Sequence, residues 1–218
     1  MAKFFLKKII CLILILQLFQ AFKIKTQSFA YFSPDDKPKE KLVELINRTN
    51  YKISAAVYII SEKTIAQALI NAKKRGVKIK ILTDDFCIGS SSGKTDLLQN
   101  SGIKISVFKT NTKNSKFHPI MHNKFGIFEI DKKNINDNWV WTGSFNWTKS
   151  ASQINQENVI LTNNKKVFAS YKKQFKILKK RCTPIKSISE QEREALVASN
   201  FGWRDKIKDF LKFVKSQF

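Results

Sequence analysis

Apolar positions change rhythm several times between residues 37 and 162, and each change predicts an element. In KPKEKLVELINRTN (37–50), Leu42, Leu45 and Ile46 recur at the spacing of one helical face. KISAAVYII (52–60), rich in β-branched and aromatic residues, reads as a strand. EKTIAQALINAKKRG (62–76) sets Ile65, Ala66, Leu69 and Ile70 on one helical face and stops at Gly76. VKIKILTD (77–84) alternates as a strand does, TDLLQNSG (95–102) predicts a short helix, and IKISVF (103–108) predicts another strand. Strand-like segments follow at MHNKFGIFEI (121–130), NWVWTGS (138–144) and ENVILT (157–162), and then a long basic helix over about 164–181. Strands alternating with helices predict an α/β domain.

Both ends of the chain depart from this pattern. MAKFFLKK (1–8) carries three lysines, and IICLILILQLFQAF (9–22) is a mostly apolar run of 14 residues. That run is short of the ~20 residues that a membrane-spanning helix needs. Ser28 and Ala30 place small residues two apart, so residues 1–30 are expected to be a signal peptide removed on export to a periplasmic or secreted location. The alternative is an N-terminal membrane anchor, lengthened by Phe4, Phe5 and Leu6. The domain itself is expected over 31–182. Thr183-Pro184 breaks the chain, and helical segments near 188–199 and 204–216 make residues 183–218 a basic helical extension. In the last segment Ile207, Phe210, Leu211 and Val214 form a stripe flanked by lysines. Such a stripe packs on its own domain or lies on a membrane surface or polyanion.

Composition narrows the partners. A chain of 218 residues that is 43% hydrophobic, with 18 Phe, can fill the core of one domain. Its 40 Lys+Arg against 17 Asp+Glu give a formal charge of +23. Residues 1–30 hold five lysines and no acid, so their removal would lower this only to +18. A surplus this large favours a polyanionic substrate, nucleic acid or anionic phospholipid, and disfavours a cationic one. Cys11 lies in the apolar run; Cys87 and Cys182 remain as a pair that an oxidising compartment would allow to join. No Cys/His cluster has metal-ligand spacing, so no metal and no cofactor are expected. GSSSGKT (89–95) stands where a phosphate-cradling loop would, but Gly89 to Gly93 leaves three intervening residues where the P-loop needs four. Nucleotide binding is rejected on that spacing.

The candidate chemistry starts at His122, one of two histidines in the chain. If 121–130 is a strand, His122 and Lys124 project from the same face while Asn123 points away. Downstream, TGSFNWT (142–148) supplies Gly143, Ser144 and Asn146, and Glu157 opens the next strand. Lysine and asparagine donate to the non-bridging oxygens of a phosphate and stabilise the charge developing there. An imidazole can attack phosphorus or protonate the leaving oxygen. Glu157 could accept from the other imidazole nitrogen and fix its tautomer.

HNKFGIFE followed by GSFN resembles the HxKxxxxD…GSxN motif of the phospholipase D superfamily, in its short, single-motif branch. That branch includes bacterial periplasmic endonucleases, mitochondrial cardiolipin hydrolase and Zucchini-type ribonucleases. The likeness extends over the lead-in from about 40 to 110 and over GSFNWTKSAS…NQEN. It implies an α/β/α sandwich with a mixed central sheet. It further implies metal-independent phosphodiester hydrolysis through a phosphohistidine on His122, with Lys124, Ser144 and Asn146 as phosphate binders and Glu157 as the histidine's partner. Glu129 occupies the motif's aspartate position, one methylene longer, and with Gly143 it is expected to support the motif. DKKNINDN (131–138) lengthens the gap to GSFN, and Asp131 could serve in place of Glu129 only with a register shift that flips its face. The family uses two histidines, yet this chain has one HxK, since Ile120 stands two residues after His118. A homodimer with both His122 residues at the seam is therefore expected. Endonuclease action on DNA or RNA is preferred, with phospholipid hydrolysis as the alternative and a catalytically silent polyanion-binding module as the third reading.

Overall fold

The computed structural model describes residues 26–88, 93–109, 119–134 and 136–198. Eight strands form one mixed sheet in the order β1-β7-β6-β5-β2-β3-β4-β8. They are β1 (Ser28–Ser33), β2 (Lys52–Val57), β3 (Lys78–Asp84), β4 (Lys104–Phe108), β5 (Lys124–Glu129), β6 (Asn138–Gly143), β7 (Glu157–Thr162) and β8 (Cys182–Pro184). The helices are α1 (Pro38–Arg48), α2 (Lys63–Lys74), α3 (Thr95–Asn100), α4 (Lys149–Gln153) and α5 (Lys165–Lys180). A further helical stretch covers 190–198. β2, β3 and β4 are parallel, and every other pairing is antiparallel.

The central strands are buried on both faces, so they read as continuous apolar runs and not as alternation. Ile53, Ala55 and Val57 of β2 enter the larger core with Leu42 and Ile46 of α1 and Ile65 and Leu69 of α2. Ala56, with Leu82, Phe125 and Ile127, faces Phe175 and Leu178 of α5 on the opposite side. Burial of a side chain of that size contributes roughly 1.5–3 kcal/mol, which holds α5 on its face. The result is the expected α/β/α sandwich. Local chemistry sets the helix ends. The Glu62 side chain accepts from Thr64 N to open α2, and Asn164 accepts from the amides of Lys166 and Val167 to open α5. Gly76, at φ 93°, takes the left-handed turn that ends α2.

Two expected boundaries move. β1 pairs with β7 over its whole length, Ser28 opposite Thr162 through Ser33 opposite Glu157, so a boundary at residue 30 falls inside a strand. Likewise β8 pairs with β4, and Ile185 and Ile188 are buried in the main core, so the domain runs past residue 182. Neither strand carries a periodic signal, because an edge strand of three to six residues is held by its neighbour's backbone. Residues 190–198 are tied on by Lys109–Glu192 and Arg193–Asp96 ion pairs. The expected signal or anchor segment up to residue 25, His118, residues 89–92 of the Gly/Ser loop and the helix near 204–216 lie outside the described residues. Among the described residues no helix is long and apolar enough to cross a membrane.

Candidate active site

Strand direction brings the candidate residues to one edge of the sheet. β2 and β3 run toward that edge; β3 ends on Asp84, and Tyr58 directly follows β2. β5 starts from it, with Val57 opposite Lys124. β6 returns to it at Gly143, and β7 leaves it at Glu157, which stands opposite Ser33. Gly143, Ser144, Asn146, His122, Lys124 and Glu157, spread over 36 residues of sequence, therefore meet along one rim.

His122 does not sit on the strand as expected. β5 begins at Lys124, and His122 is exposed in the segment leading into it, while Lys124 keeps only 7% of its surface exposed. The pleat therefore does not align the two side chains. Tyr58 does: its ring lies 4.8 Å from the His122 ring, and Lys124 Nζ sits 5.2 Å from its centroid. Phe86 stacks near Tyr58, with centroids 6.0 Å apart. Lys124 Nζ also donates to the His122 carbonyl at 2.8 Å, and Asn123 O accepts from Tyr58 N at 2.8 Å. The HxK segment is thus held from both sides of its backbone.

A buried carboxylate completes that hold. Asp84, 3% exposed, accepts from Met121 N at 2.8 Å through Oδ2 and from Phe86 N at 3.2 Å through Oδ1. Asp85 lies beside it, and burial followed by the Asp84 charge pushes its carboxyl up to about 6. Burial first, then the Lys124 charge, pulls the His122 pKa below its usual value, against an opposing effect of Asp84. That shift favours the neutral imidazole. Burial also lowers the Lys124 pKa, and Glu157 works against that. Cys87 donates to the Tyr58 carbonyl at 2.9 Å, and burial pushes its thiol up to about 11. It and Cys182 are both free cysteines, not a disulfide.

The other expected residues divide. Asn146 lies in the turn after β6, and its Oδ1 is buried without a hydrogen-bond partner among the described residues. Ser144 engages the neighbouring strand and keeps its own O–H as a donor. Its Oγ accepts from Asn158 N at 3.0 Å and Asn158 Nδ2 at 3.4 Å, and its own amide donates to Asn158 O at 3.0 Å. It locks β6 to β7. Gly143 permits this closeness, since a Cβ there would fall 2.0 Å from Asn158 O. Glu157 accepts from Asn155 Nδ2 at 2.9 Å and acts electrostatically on Lys124. Among the described contacts no hydrogen bond joins it to the His122 ring. Glu129 is not at the rim. It is buried at the far end of β5, where it binds Lys52 Nζ at 2.6 Å and Lys172 Nζ at 3.2 Å. Burial would raise its pKa, but the two lysines outweigh that and hold it low. Asp131 takes no part, because β5 keeps the register that faces Glu129 toward Lys172.

Tyr58, Asp84 and Asp85 were absent from the sequence expectation. The available signal was their position: all three stand at the carboxyl ends of parallel strands, where α/β sheets place their ligand crevices.

The sequence profile of the family described as "Cardiolipin synthase, PLD-like domain" matches residues 42–179. The phospholipase D of Rickettsia prowazekii (strain Madrid E) is 36% identical over 140 residues, which are 64% of this chain and 62% of that protein. The mitochondrial cardiolipin hydrolase of Xenopus tropicalis is 25% identical over 143 residues, 66% of this chain and 61% of that protein. The match thus spans a little over three-fifths of these relatives' lengths. Among solved structures, the phospholipase D family member Nuc from Salmonella typhimurium superposes with a TM-score of 0.62 at 26% identity, over 73% of this chain and 98% of that one.

Proposed function

Because the chain belongs to the phospholipase D superfamily, we propose that it is a phosphodiester hydrolase acting through His122 without a metal ion. The observation that supports this most is the convergence of His122 and Lys124 on Tyr58 at the rim that also holds the Asn146 turn. In the first step a neutral imidazole nitrogen bonds to phosphorus and the P–O bond to the leaving group breaks. The leaving oxygen takes a proton from a second imidazole. Water then attacks the phosphohistidine and gives its proton back to that imidazole, releasing a phosphomonoester and free His122. Lys124 and the Asn146 amide hold the non-bridging oxygens, where negative charge builds. Glu157 serves Lys124 as counter-charge. The second imidazole is His122 of the partner subunit in a twofold homodimer.

The substrate favoured is nucleic acid, acted on as an endonuclease. The +23 charge supports this, because a phosphate backbone engages many cations at once and binding then weakens steeply with salt. The names of the Rickettsia and Xenopus relatives support a second reading, phospholipid hydrolysis. The apolar run before β1 supports export, and β1 itself supports keeping that run as an anchor, since cleavage after Ala30 would remove half of a paired strand.

The test incubates the purified full chain, in chelator, with bis(p-nitrophenyl) phosphate, plasmid DNA, single-stranded RNA and phospholipid vesicles. Hydrolysis of at least one, abolished by His122→Asn, is expected. Activity untouched by that substitution would sink the assignment, and activity lost only to chelator would sink the metal-free step.

A further inference from the structure

Away from the rim, the α5 face carries a cleft of about 400 Å³ bordered by β3, β4, the end of α5 and the turn after β8. Lys80, Lys104, Lys179 and Lys186 line it around an apolar floor that includes Leu82 and Pro184. No carboxylate and no aromatic ring is in the lining, and no residue of the HxK rim contributes to it. Among the described residues none of the four lysines forms an ion pair, although six other basic side chains do. The crowding is felt: Lys179 first, then burial, then Lys104 and Lys52 pull the Lys80 pKa down. Like charges gathered without a counter-charge destabilise the fold unless an anion joins them.

We propose that this cleft binds the phosphate headgroup of an anionic phospholipid, with the glycerol and the first acyl carbons on the apolar floor. Four ammonium groups offer donors to phosphate oxygens from several directions. A volume of this size is that of a small-ligand site and holds a headgroup rather than a whole lipid. Nucleic acid fits less well, because single strands seek aromatic platforms for their bases and the lining has none. The proposal is independent of the chemistry assigned to His122.

The test is calorimetric titration of the full chain with dihexanoyl phosphatidic acid below its micelle concentration. This probe is a phosphomonoester, so a phosphodiesterase leaves it intact and binding is read apart from turnover. Glycerol 3-phosphate and dihexanoyl phosphatidylcholine are the comparison ligands, and a dT hexamer is the competitor. Phosphatidic acid is expected to bind at least tenfold tighter than either comparison ligand. The substitution of Lys80, Lys104, Lys179 and Lys186 by Gln should reduce that binding at least tenfold and raise the melting temperature. A control with Lys41, Lys63, Lys74 and Lys132 changed to Gln, equal in net charge, should bind within threefold of the parent. Equal loss in both variants would overturn the proposal in favour of diffuse attraction. Equal affinity for glycerol 3-phosphate, or tighter binding of the hexamer, would overturn the lipid assignment.

Discussion

Replacing Gly143 with Ala forces a side-chain carbon into a space the backbone already fills. The added Cβ would lie 2.0 Å from Asn158 O, 2.8 Å from its carbonyl carbon and 2.9 Å from Val159 Cα. Carbon contacts are favourable only from ~3.5 Å, so the ends of β6 and β7 must part by more than ~1 Å. That movement breaks the Ser144 N to Asn158 O bond and the Asn158 N to Ser144 Oγ bond. Each contributes about 0.5–1.5 kcal/mol, and the freed groups, at the exposed strand ends, turn to water. The sum is about 1–3 kcal/mol. For a domain of this size that lowers the melting temperature by roughly 2–12 °C. Asn146, three residues on, moves with the turn, so turnover of bis(p-nitrophenyl) phosphate by the folded variant should drop at least tenfold. Scanning calorimetry and the chromogenic assay, both run well below the transition, read the two effects. A variant that melts within about 1 °C of the parent and turns over at the parental rate would refute the claim that this glycine sets the rim.

Other expectations follow from the same contacts. Glu129→Gln removes the charge shared by Lys52 and Lys172 and should cost about 1–3 kcal/mol in urea unfolding. Its turnover per folded molecule should stay unchanged, because Glu129 lies at the opposite end of β5 from His122. Asp85, with its carboxyl raised from 3.8 to about 6, binds its proton more tightly folded than unfolded. Its contribution therefore favours the fold below about pH 4 and is lost as pH rises through 6. Asp85→Asn should accordingly raise the melting temperature at pH 7.5 and flatten the slope between pH 4 and 6. An unchanged slope would remove Asp85 as its source. For His122, whose pKa is lowered by desolvation and then by the Lys124 charge, the acid limb of the pH–rate profile should have a midpoint below 6.5. A midpoint at or above 6.5 contradicts the lowering by partial desolvation and the Lys124 charge.

The hydrophobic rhythm alone determined most of the fold: α1, α2, α5 and the strands β2 to β7 lie where periodicity puts them, within a residue or two for most. Their sequence signals are strong because each element buries a face, and burial demands a repeat of 3.6 or a continuous apolar run. The residue types of His122, Lys124 and Asn146 were equally legible, since phosphate chemistry needs a nucleophile and donors that few other residues supply. Three things were decided only by the tertiary structure. β1 and β8 exist because the edges of β7 and β4 offer unpaired backbone groups, and no side-chain pattern records that. The alignment of His122 with Lys124 comes from the Tyr58 ring and the Asp84 carboxylate, which stand 64 and 38 residues upstream of His122. The contacts of Ser144 and Glu129 were set in the same way. A spacing rule places a side chain relative to its own strand, but the neighbouring backbone of Asn158 and the lysines of β2 and α5 decide what that side chain touches.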